Sequence, residues 1–232
     1  MTEIIASVLP FQTYDELKNK IASLRGIVSV IQIDFCDGIF VPSRTWPFLS
    51  GGFEDFEFQK IINEEQGLPY WQEFDFEFDL MVADAVENFD LYMKLGPRRI
   101  IFHLEAVGDL EDFRNFIEGI DLYIRDNVEI GIAFKPSLPF EKVFPLVSLV
   151  DFVQCMGNDK IGMSGVSLDE KVYDRIKLLR EKYPDLPIEV DIGITEQTAP
   201  RLVEAGATKL ITGSVLFNSY DKIELVERFR NL

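Results

Sequence analysis

Short apolar runs alternate along this chain with longer segments whose apolar residues recur every three or four positions. The first pattern predicts strands and the second predicts amphipathic helices. We predict eight strands, near residues 3–8, 28–35, 74–81, 98–104, 128–134, 150–156, 187–192 and 208–213. The predicted helices lie between them, near residues 14–24, 54–65, 84–95, 110–126, 139–147, 168–183, 196–205 and 220–230.

Strict alternation of strand and helix predicts a parallel sheet whose strands are covered by helices. Eight such units favour a closed (β/α)8 TIM barrel, and 232 residues is an ordinary length for that α/β fold. No linker or change of composition divides the chain, so we expect a single domain over residues 1–232. The connection at about 43–73 is unusually long, and we expect it to cap the active site or to form a subunit contact.

Three of the predicted helices begin with capping signals. Thr13 with Glu16 and Ser167 with Glu170 match capping boxes, and Thr195 precedes a polar first turn. We therefore expect helices to begin just after Thr13, Ser167 and Thr195.

Composition and charge limit the kinds of molecule that the protein is expected to bind and where it is expected to reside. Hydrophobic residues make up 47% of the chain and include 20 Phe, enough for a large core. The net charge of −17 argues against nucleic acid and anionic membranes as partners, although acidity is also an ordinary solubility trait. Since there is no charged leader, no apolar run of membrane-spanning length and only two cysteines, we expect a soluble cytoplasmic protein with reduced thiols.

The segment from Ile31 to Pro42 carries the strongest chemical signal. It reads as a strand that is apolar on one face and presents Gln32 and Asp34 on the other. In barrel enzymes, active sites lie at the C-terminal ends of the strands. The same period of two predicts a set of lumen-facing residues at these ends, which comprises Ser7, Gln32, Asp34, Asp75, Glu77, Asp79, His103, Glu105, Lys135, Met156, Glu189 and Asp191.

Six carboxylates are thus expected to crowd one lumen, namely Asp34, Glu77, Asp79, Glu105, Glu189 and Asp191. Like charges in a partly desolvated cavity need protons, cationic partners or a bound cation. Either several of these acids pair with Lys or Arg or face solvent, or the cluster is a metal or proton-transfer site. In the second case Asp34 and Asp191 suit acid–base chemistry on the two faces of a substrate.

Gly-containing turns follow each of the last three predicted strands and form a second candidate site. In this fold a phosphate commonly docks on backbone N–H groups of such loops, where Gly permits close approach. The alternative is ordinary turn chemistry. The residues predicted to bind the substrate and its phosphate are Ser7, Gly162, Ser164, Gly165, Gly193, Gly213 and Ser214.

With these residues in place, the chain resembles the ribulose-phosphate 3-epimerase family of barrel enzymes over essentially its whole length. The Asp-Gly-x-Phe-Val-Pro turn together with the Glu-Val-Asp strand makes the resemblance specific. The segments that carry it are Ala6-Ser7-Val8-Leu9, Ile33-Asp34-Phe35-Cys36-Asp37-Gly38-Ile39-Phe40-Val41-Pro42, Asp79-Leu80-Met81-Val82, Phe102-His103-Leu104-Glu105-Ala106, Glu189-Val190-Asp191-Ile192-Gly193-Ile194 and Thr212-Gly213-Ser214-Val215-Leu216-Phe217.

The resemblance implies metal-assisted epimerisation of a ketose phosphate of the ribulose 5-phosphate and xylulose 5-phosphate type. In the family one aspartate removes the C3 proton and a second returns a proton on the opposite face, and the matching residues are Asp34 and Asp191. Two metal-binding histidines of the family are replaced here by Gln32 and Asp79. An all-oxygen metal site of Gln32, Asp34, Asp79 and Asp191 favours Mg²⁺ or Mn²⁺ over Zn²⁺ or Fe²⁺. Family members also self-associate, so we expect a homo-oligomer.

Several other positions are interpreted through the same resemblance. His103 matches a family histidine that does not bind the metal, which implies a structural or supporting role. Cys36 and Met156 match methionines that form an apolar floor under the sugar, and we expect Cys36, as a neighbour of Asp34, to point to the opposite face of the strand. The family's Asn-Pro-Gly-Phe-Gly-Gly loop is replaced by residues 157–165, so a modified sugar phosphate is compatible with the sequence.

Three functions remain open from the sequence. The first is an epimerase with an altered metal site, because both catalytic acids and the phosphate turns are present. The second is a sugar-phosphate-binding pseudoenzyme, because both metal-binding histidines are missing. The third is an isomerase or epimerase that works without a metal.

Overall fold

The computed structural model describes residues 1–232 and contains one closed barrel of eight parallel strands, with β8 pairing with β1. The predicted (β/α)8 TIM barrel is therefore confirmed. Every strand boundary lies within two residues of its predicted position. The strands are β1 Glu3–Ser7, β2 Val30–Cys36, β3 Asp75–Met81, β4 Arg99–His103, β5 Glu129–Phe134, β6 Phe152–Met156, β7 Ile188–Asp191 and β8 Lys209–Thr212.

Ten α-helices surround the barrel or close its ends, and a short 3-10 helix spans Gly52–Glu54. The α-helices are α1 Tyr14–Ala22, α2 Phe56–Ile62, α3 Phe89–Met93, α4 Leu110–Glu118, α5 Leu122–Asn127, α6 Phe140–Val147, α7 Lys171–Lys182, α8 Thr198–Ala205, α9 Ser214–Phe217 and α10 Lys222–Arg230. No helix is both long and apolar enough to cross a membrane.

The helix predictions need three corrections. The segment 110–126 is two helices, because α4 ends at Glu118, is followed by Gly119 at its C-cap, and Asp121 caps a new helix by accepting a hydrogen bond from the backbone N–H of Tyr123 at 2.8 Å. The segment 84–95 is helical only in α3, since its first residues form turns. Helix α9 directly follows β8 and was not predicted, because four residues are too few to show a helical period.

The capping predictions had different outcomes. The Thr13 hydroxyl accepts a hydrogen bond from the backbone N–H of Glu16 at 3.2 Å and starts α1, as predicted. The Ser167–Glu170 box is wrong: α7 begins only at Lys171, whose backbone N–H donates to the side chain of Asp169 at 2.9 Å. After Thr195, α8 begins at Thr198.

The main core lies between the outer face of the barrel and the helices. Aromatic side chains of the strands dominate it: the Phe35 and Phe78 rings are 5.1 Å apart, and Phe102 contacts Phe113 of α4 at 5.5 Å. All four side chains are buried. This packing fixes the strands, so side chains on the alternate, inward face are held in defined positions.

The long connection between β2 and β3 packs along the outside of the barrel. Trp46 is buried, its ring lies 5.3 Å from Tyr14 of α1, and its indole N–H donates to Asp55 Oδ1 at 2.8 Å. The same Asp55 oxygen caps α2 by accepting from the backbone N–H of Phe58. No residue from 43 to 73 lines the cavity at the barrel mouth, and the role of this segment, a cap over the active site or a subunit contact, stays a prediction.

Candidate active site

Three carboxylates converge at the C-terminal mouth of the barrel. Asp34 lies on β2, Asp79 on β3 and Asp191 on β7, and their carboxylate oxygens lie within 4.8 Å of one another. Asp34 and Asp79 are buried, whereas Asp191 is half-buried. Asp34 and Asp191 line a cavity of about 460 Å³ that opens at the mouth. Three acids that are far apart in the sequence therefore form one site.

The protonation of Asp34 and Asp191 is shifted by burial and by their acidic neighbours. Burial, followed by repulsion from Asp79 and Asp191, raises the pKa of Asp34 well above its usual value. Burial and the charge of Asp79 raise the pKa of Asp191 to about 7. The Ser7 hydroxyl donates to Asp34 Oδ2 at 2.7 Å, which favours the ionised form but does not reverse the shift. Near neutral pH this site therefore holds protons, or a cation in their place.

Asp79 is held by hydrogen bonds from three sides. His103 Nε2 lies 2.6 Å from Asp79 Oδ1, and the side-chain amides of Gln32 and Gln154 donate to Asp79 Oδ2 at 3.1 and 3.2 Å. Burial alone lowers the pKa of His103, but the neighbouring Asp79 carboxylate outweighs it and the pKa is raised. His103 thus contacts Asp79, in the supporting position that the resemblance implied.

Gln154 is a site residue that the sequence reasoning missed. It lies on β6 and is fully buried, and its amide crosses the lumen to reach Asp79 on β3. A signal was present: Met156 was predicted to face the lumen, and a residue two positions earlier on a strand shares its face. Gln32 and Gln154 each have a buried side-chain oxygen with no hydrogen-bond donor.

Two of the six carboxylates expected in the lumen pair with Lys or Arg, which was one of the two alternatives, because the inward residues occupy separate layers. Glu77 and Glu189 lie deeper in the barrel, where Lys209 Nζ is 2.8 Å from Glu189 and Arg99 is 3.3 Å from Glu77. Side chains of alternate strands share a layer in this fold. Glu105 lies at the rim, and its Oε1 accepts from the backbone N–H of Lys135 at 2.8 Å.

Two further orientations also differ from the predictions. Asp75 is exposed at the N-terminal end of β3, so it does not face the lumen at the active site. Cys36 faces the lumen and packs with Met81 and Met156, not on the opposite face from Asp34. The reason is the strand period itself, since Cys36 is two residues after Asp34 and shares its side of the strand.

The predicted phosphate-binding residues lie together beside this centre. Seven cavity-lining residues are those predicted from the sequence, namely Ser7, Gly162, Ser164, Gly165, Gly193, Gly213 and Ser214. The backbone N–H groups of Gly193, Ile194 and Gly213 donate to no acceptor of the protein. No Lys or Arg lines the cavity, so an anion there would depend on neutral donors such as these N–H groups.

Gly193 is required where the turn after β7 approaches the loop 157–170 closely. Its φ is +78°, and a Cβ atom there would lie 2.5 Å from the backbone nitrogen of Leu168. Only Gly combines this conformation with such close approach. The turn after β7 and the loop 157–170 therefore meet at the wall of the cavity.

The donor chemistry of the acidic centre fits a divalent cation. Asp34, Asp79 and Asp191 supply carboxylate oxygens, and the side-chain amide of Gln32 contacts Asp34 and Asp79 through its nitrogen and carries an oxygen without a hydrogen-bond partner. Hard divalent cations prefer such oxygen ligands. The acidic triad could therefore bind one.

A closed (β/α)8 barrel with carboxylates and unpaired backbone N–H groups at its C-terminal mouth has the architecture of a barrel enzyme, whose active site lies at this end of the strands. The model of the ribulose-phosphate 3 epimerase family matches residues 3–217, so the chain belongs to that family. It is thus a ribulose-phosphate 3-epimerase-like enzyme, as the resemblance implied.

Known relatives agree with this assignment. The ribulose-phosphate 3-epimerase of Bacillus subtilis is 25% identical over 237 residues, which cover 99% of each chain. That of Eremothecium gossypii is 26% identical and covers 87% of this chain and 80% of its own. Among solved structures, 3-hexulose-6-phosphate synthase from Salmonella typhimurium has a TM-score of 0.67 at 15% identity and covers 100% of this chain and 97% of its own, a likeness of fold alone. The names of the relatives support an epimerase of pentose phosphates.

Proposed function

We propose that the protein epimerises a ketose phosphate of the ribulose 5-phosphate and xylulose 5-phosphate type at C3, through an enediolate. The observation that carries the proposal is the convergence of Asp34 and Asp191 within 4.8 Å, at the edge of a cavity with free backbone N–H groups. Proton-transfer groups and an anion cradle are thus adjacent, as a small sugar phosphate requires.

Asp34 and Asp191 are the proposed proton-transfer pair. One carboxylate takes the proton from C3, and the electron pair is delocalised onto the carbonyl oxygen to give the enediolate. The other carboxyl then delivers its proton to the opposite face of C3. Because the reaction runs in both directions, each group is the base for one epimer and the acid for the other. Burial raises the pKa of Asp191 to about 7, which suits proton exchange at neutral pH.

The surrounding residues position the substrate and the acids. The N–H groups of Gly193, Ile194 and Gly213 are proposed to hold the phosphate, which leaves the sugar reaching towards the carboxylates. Ser7 fixes Asp34 through its 2.7 Å hydrogen bond. Leu9, Met81 and Ile192 supply an apolar wall beside Asp34 and Asp191.

We propose Mg²⁺ or Mn²⁺ as the cation, held by Asp34, Asp79, Asp191 and the amide oxygen of Gln32. When bound, it supplies positive charge near the oxygen atoms on which negative charge develops, and this stabilisation is usually a large contribution to such reactions. Oxygen-only donors favour these hard ions over Zn²⁺ and Fe²⁺.

The decisive experiment measures exchange of the C3 proton of D-ribulose 5-phosphate with deuterated water by NMR. Wild-type protein is compared with Asp34→Asn, Asp191→Asn and the control Asp126→Asn, which changes an exposed acid on α5. We expect exchange by the wild type and the control in the presence of Mn²⁺, and a loss of at least about 100-fold in both active-site variants.

The absence of exchange with every ketose phosphate tested, in the presence of Mg²⁺, Mn²⁺, Zn²⁺ or Fe²⁺, would refute the proposal. Exchange that survives exhaustive chelation would keep the acid–base pair and favour the metal-free variant of the reaction. Both results are read from the same NMR spectra.

A second candidate is a sugar-phosphate-binding pseudoenzyme. It is favoured by Asp79, because His103, Gln32 and Gln154 already donate hydrogen bonds to both of its oxygens. In that case ribulose 5-phosphate raises the melting temperature, no C3 exchange occurs, and Mn²⁺ has no effect on stability.

The cellular location, domain organisation and oligomeric state of the protein are also proposals. A cytoplasmic location agrees with the two unpaired, buried cysteines, and a relative from rice, 30% identical, is named a cytoplasmic isoform. We further propose that the chain is one barrel domain that forms a homo-oligomer without nucleic acid or membrane partners. Light scattering during size-exclusion chromatography tests the oligomeric state.

A further inference from the structure

Gln154 lies at the floor of the acidic centre, beside Asp79 and a cluster of apolar side chains. Around it, the inward face of the barrel carries Cys36, Met81, Ile101 and Met156. A polar side chain that is fully buried in such a place is costly unless its polar atoms are paired. The polar atoms of the Gln154 side chain therefore need hydrogen-bond or metal partners.

Only the nitrogen of the Gln154 side-chain amide has hydrogen-bond partners. Its Nε2 donates to Asp79 Oδ2 at 3.2 Å and contacts the sulfur of Met156 at 3.3 Å. Its Oε1 is buried and receives no hydrogen bond. The amide nitrogen is thus directed at the acidic centre, and the oxygen of the same amide is unsatisfied.

Gln32 repeats this arrangement from the other side of the lumen. It lies on β2, opposite β6 in the eight-stranded barrel, and donates to the same Asp79 oxygen at 3.1 Å. Its Oε1 also lacks a donor. Two buried amides therefore contact Asp79 through their nitrogens, and each carries an unpartnered oxygen on the same terminal group, which a cation at this centre would satisfy.

We propose that Gln154 is a ligand of the divalent cation, through its side-chain oxygen. Rotation of the terminal amide exchanges Oε1 and Nε2, so the group that now donates to Asp79 can present an oxygen to the same place. With Asp34, Asp79, Asp191 and Gln32, this makes five protein oxygens, a donor set typical of hard cations. The inference rests on the proposed function, because it adds one residue to the same site.

The test is Mn²⁺ affinity, measured by electron paramagnetic resonance and by calorimetry on the full chain. Gln154→Met keeps the side-chain length and removes the amide, and we expect it to weaken Mn²⁺ binding about 10- to 100-fold. Gln154→Glu keeps an oxygen but cannot donate from it when ionised, and we expect it to bind Mn²⁺ at least as tightly as wild type at mildly alkaline pH. Ile101→Val is the packing control in the same lumen, and its affinity should stay within twofold of wild type.

Three outcomes would overturn the inference. They are Gln154→Met binding Mn²⁺ within threefold of wild type, Gln154→Glu binding as weakly as Gln154→Met, and wild type showing no saturable binding at millimolar Mn²⁺. The second would mean that Gln154 only positions Asp79 as a hydrogen-bond donor. If Gln154→Met does not fold, Gln154→Glu decides the question, since it preserves volume and polarity.

The inference and the proposed function fail in different ways. Mn²⁺ binding that depends on Gln154, without exchange at C3 of any ketose phosphate, supports the inference and refutes the epimerase. Exchange at C3 by a wild type that binds no Mn²⁺ refutes the inference and supports the epimerase.

Discussion

The close approach of Gly193 to the loop 157–170 makes the anion cradle sensitive to a single methyl group. In Gly193→Ala, the new Cβ would lie 2.5 Å from the backbone nitrogen of Leu168, whereas ordinary contacts begin at 3.4 Å. The loop or the turn must therefore retreat by the difference, 0.9 Å. Because the obstacle is backbone, no side-chain rotation can relieve it.

This displacement would act directly on phosphate binding at the proposed site. Ser164 and Gly165 line the cavity on the retreating loop, and Gly193 lies on the turn, so a hydrogen bond from the Gly193 N–H to a phosphate at the proposed position would lengthen beyond useful range. A hydrogen bond to a charged group contributes about 1.5–3 kcal/mol. Loss of one such bond predicts a weakening of about 10- to 150-fold in affinity for ribulose 5-phosphate.

Gly96→Ala is a matched control for backbone strain. Gly96 has φ +75°, close to the +78° of Gly193, but a Cβ there meets nothing within 4 Å. Both variants carry the left-handed strain of about 1–2 kcal/mol. Only Gly193→Ala also moves the cradle, so the difference between the two variants isolates the steric contribution.

Affinity is measured by calorimetric titration with ribulose 5-phosphate and with inorganic phosphate, and stability by urea unfolding. We expect the affinity of Gly96→Ala to match wild type and that of Gly193→Ala to fall for both ligands. Equal affinities of the two variants would refute the placement of the phosphate at Gly193.

Three further predictions follow from the buried charges. First, burial and Asp79 raise the pKa of Asp191 in the folded protein to about 7, while the unfolded value is ordinary, near 4. In the presence of a chelator, the free energy of unfolding should therefore fall as pH rises between these values, and Asp191→Asn should flatten this slope in urea titrations. Second, Lys209→Met leaves Glu189 buried without its 2.8 Å partner and should lower the free energy of unfolding by about 3–5 kcal/mol, with a loss under 1 kcal/mol contradicting the argument. Third, Asp55→Ala removes both the cap of α2 and the acceptor of the Trp46 indole N–H. This variant should lower the free energy of unfolding by about 1–3 kcal/mol and change the Trp fluorescence.

Much of the fold could be predicted from the sequence because strand and lumen assignments depend on local periodicity. The period of two placed Asp34, Asp79 and Asp191 on inward faces at strand ends, and Gly turns marked the cradle beside them. These are properties of single strands and single turns. The capping-box prediction at Ser167 was wrong because a competing polar residue lies two positions later. The side chain of Asp169 accepts the hydrogen bond at the start of α7.

The amino-acid sequence by itself determined the barrel, its family and the identity of the acids at its mouth, because hydrophobic periodicity and turn chemistry are encoded locally. Only the tertiary structure decided which inward residues share a layer. The stagger of the strands puts Glu77 and Glu189 with Arg99 and Lys209 below the site. It also brings the Gln154 amide across the lumen to Asp79. Such contacts depend on the closure of the whole barrel, which no single strand specifies.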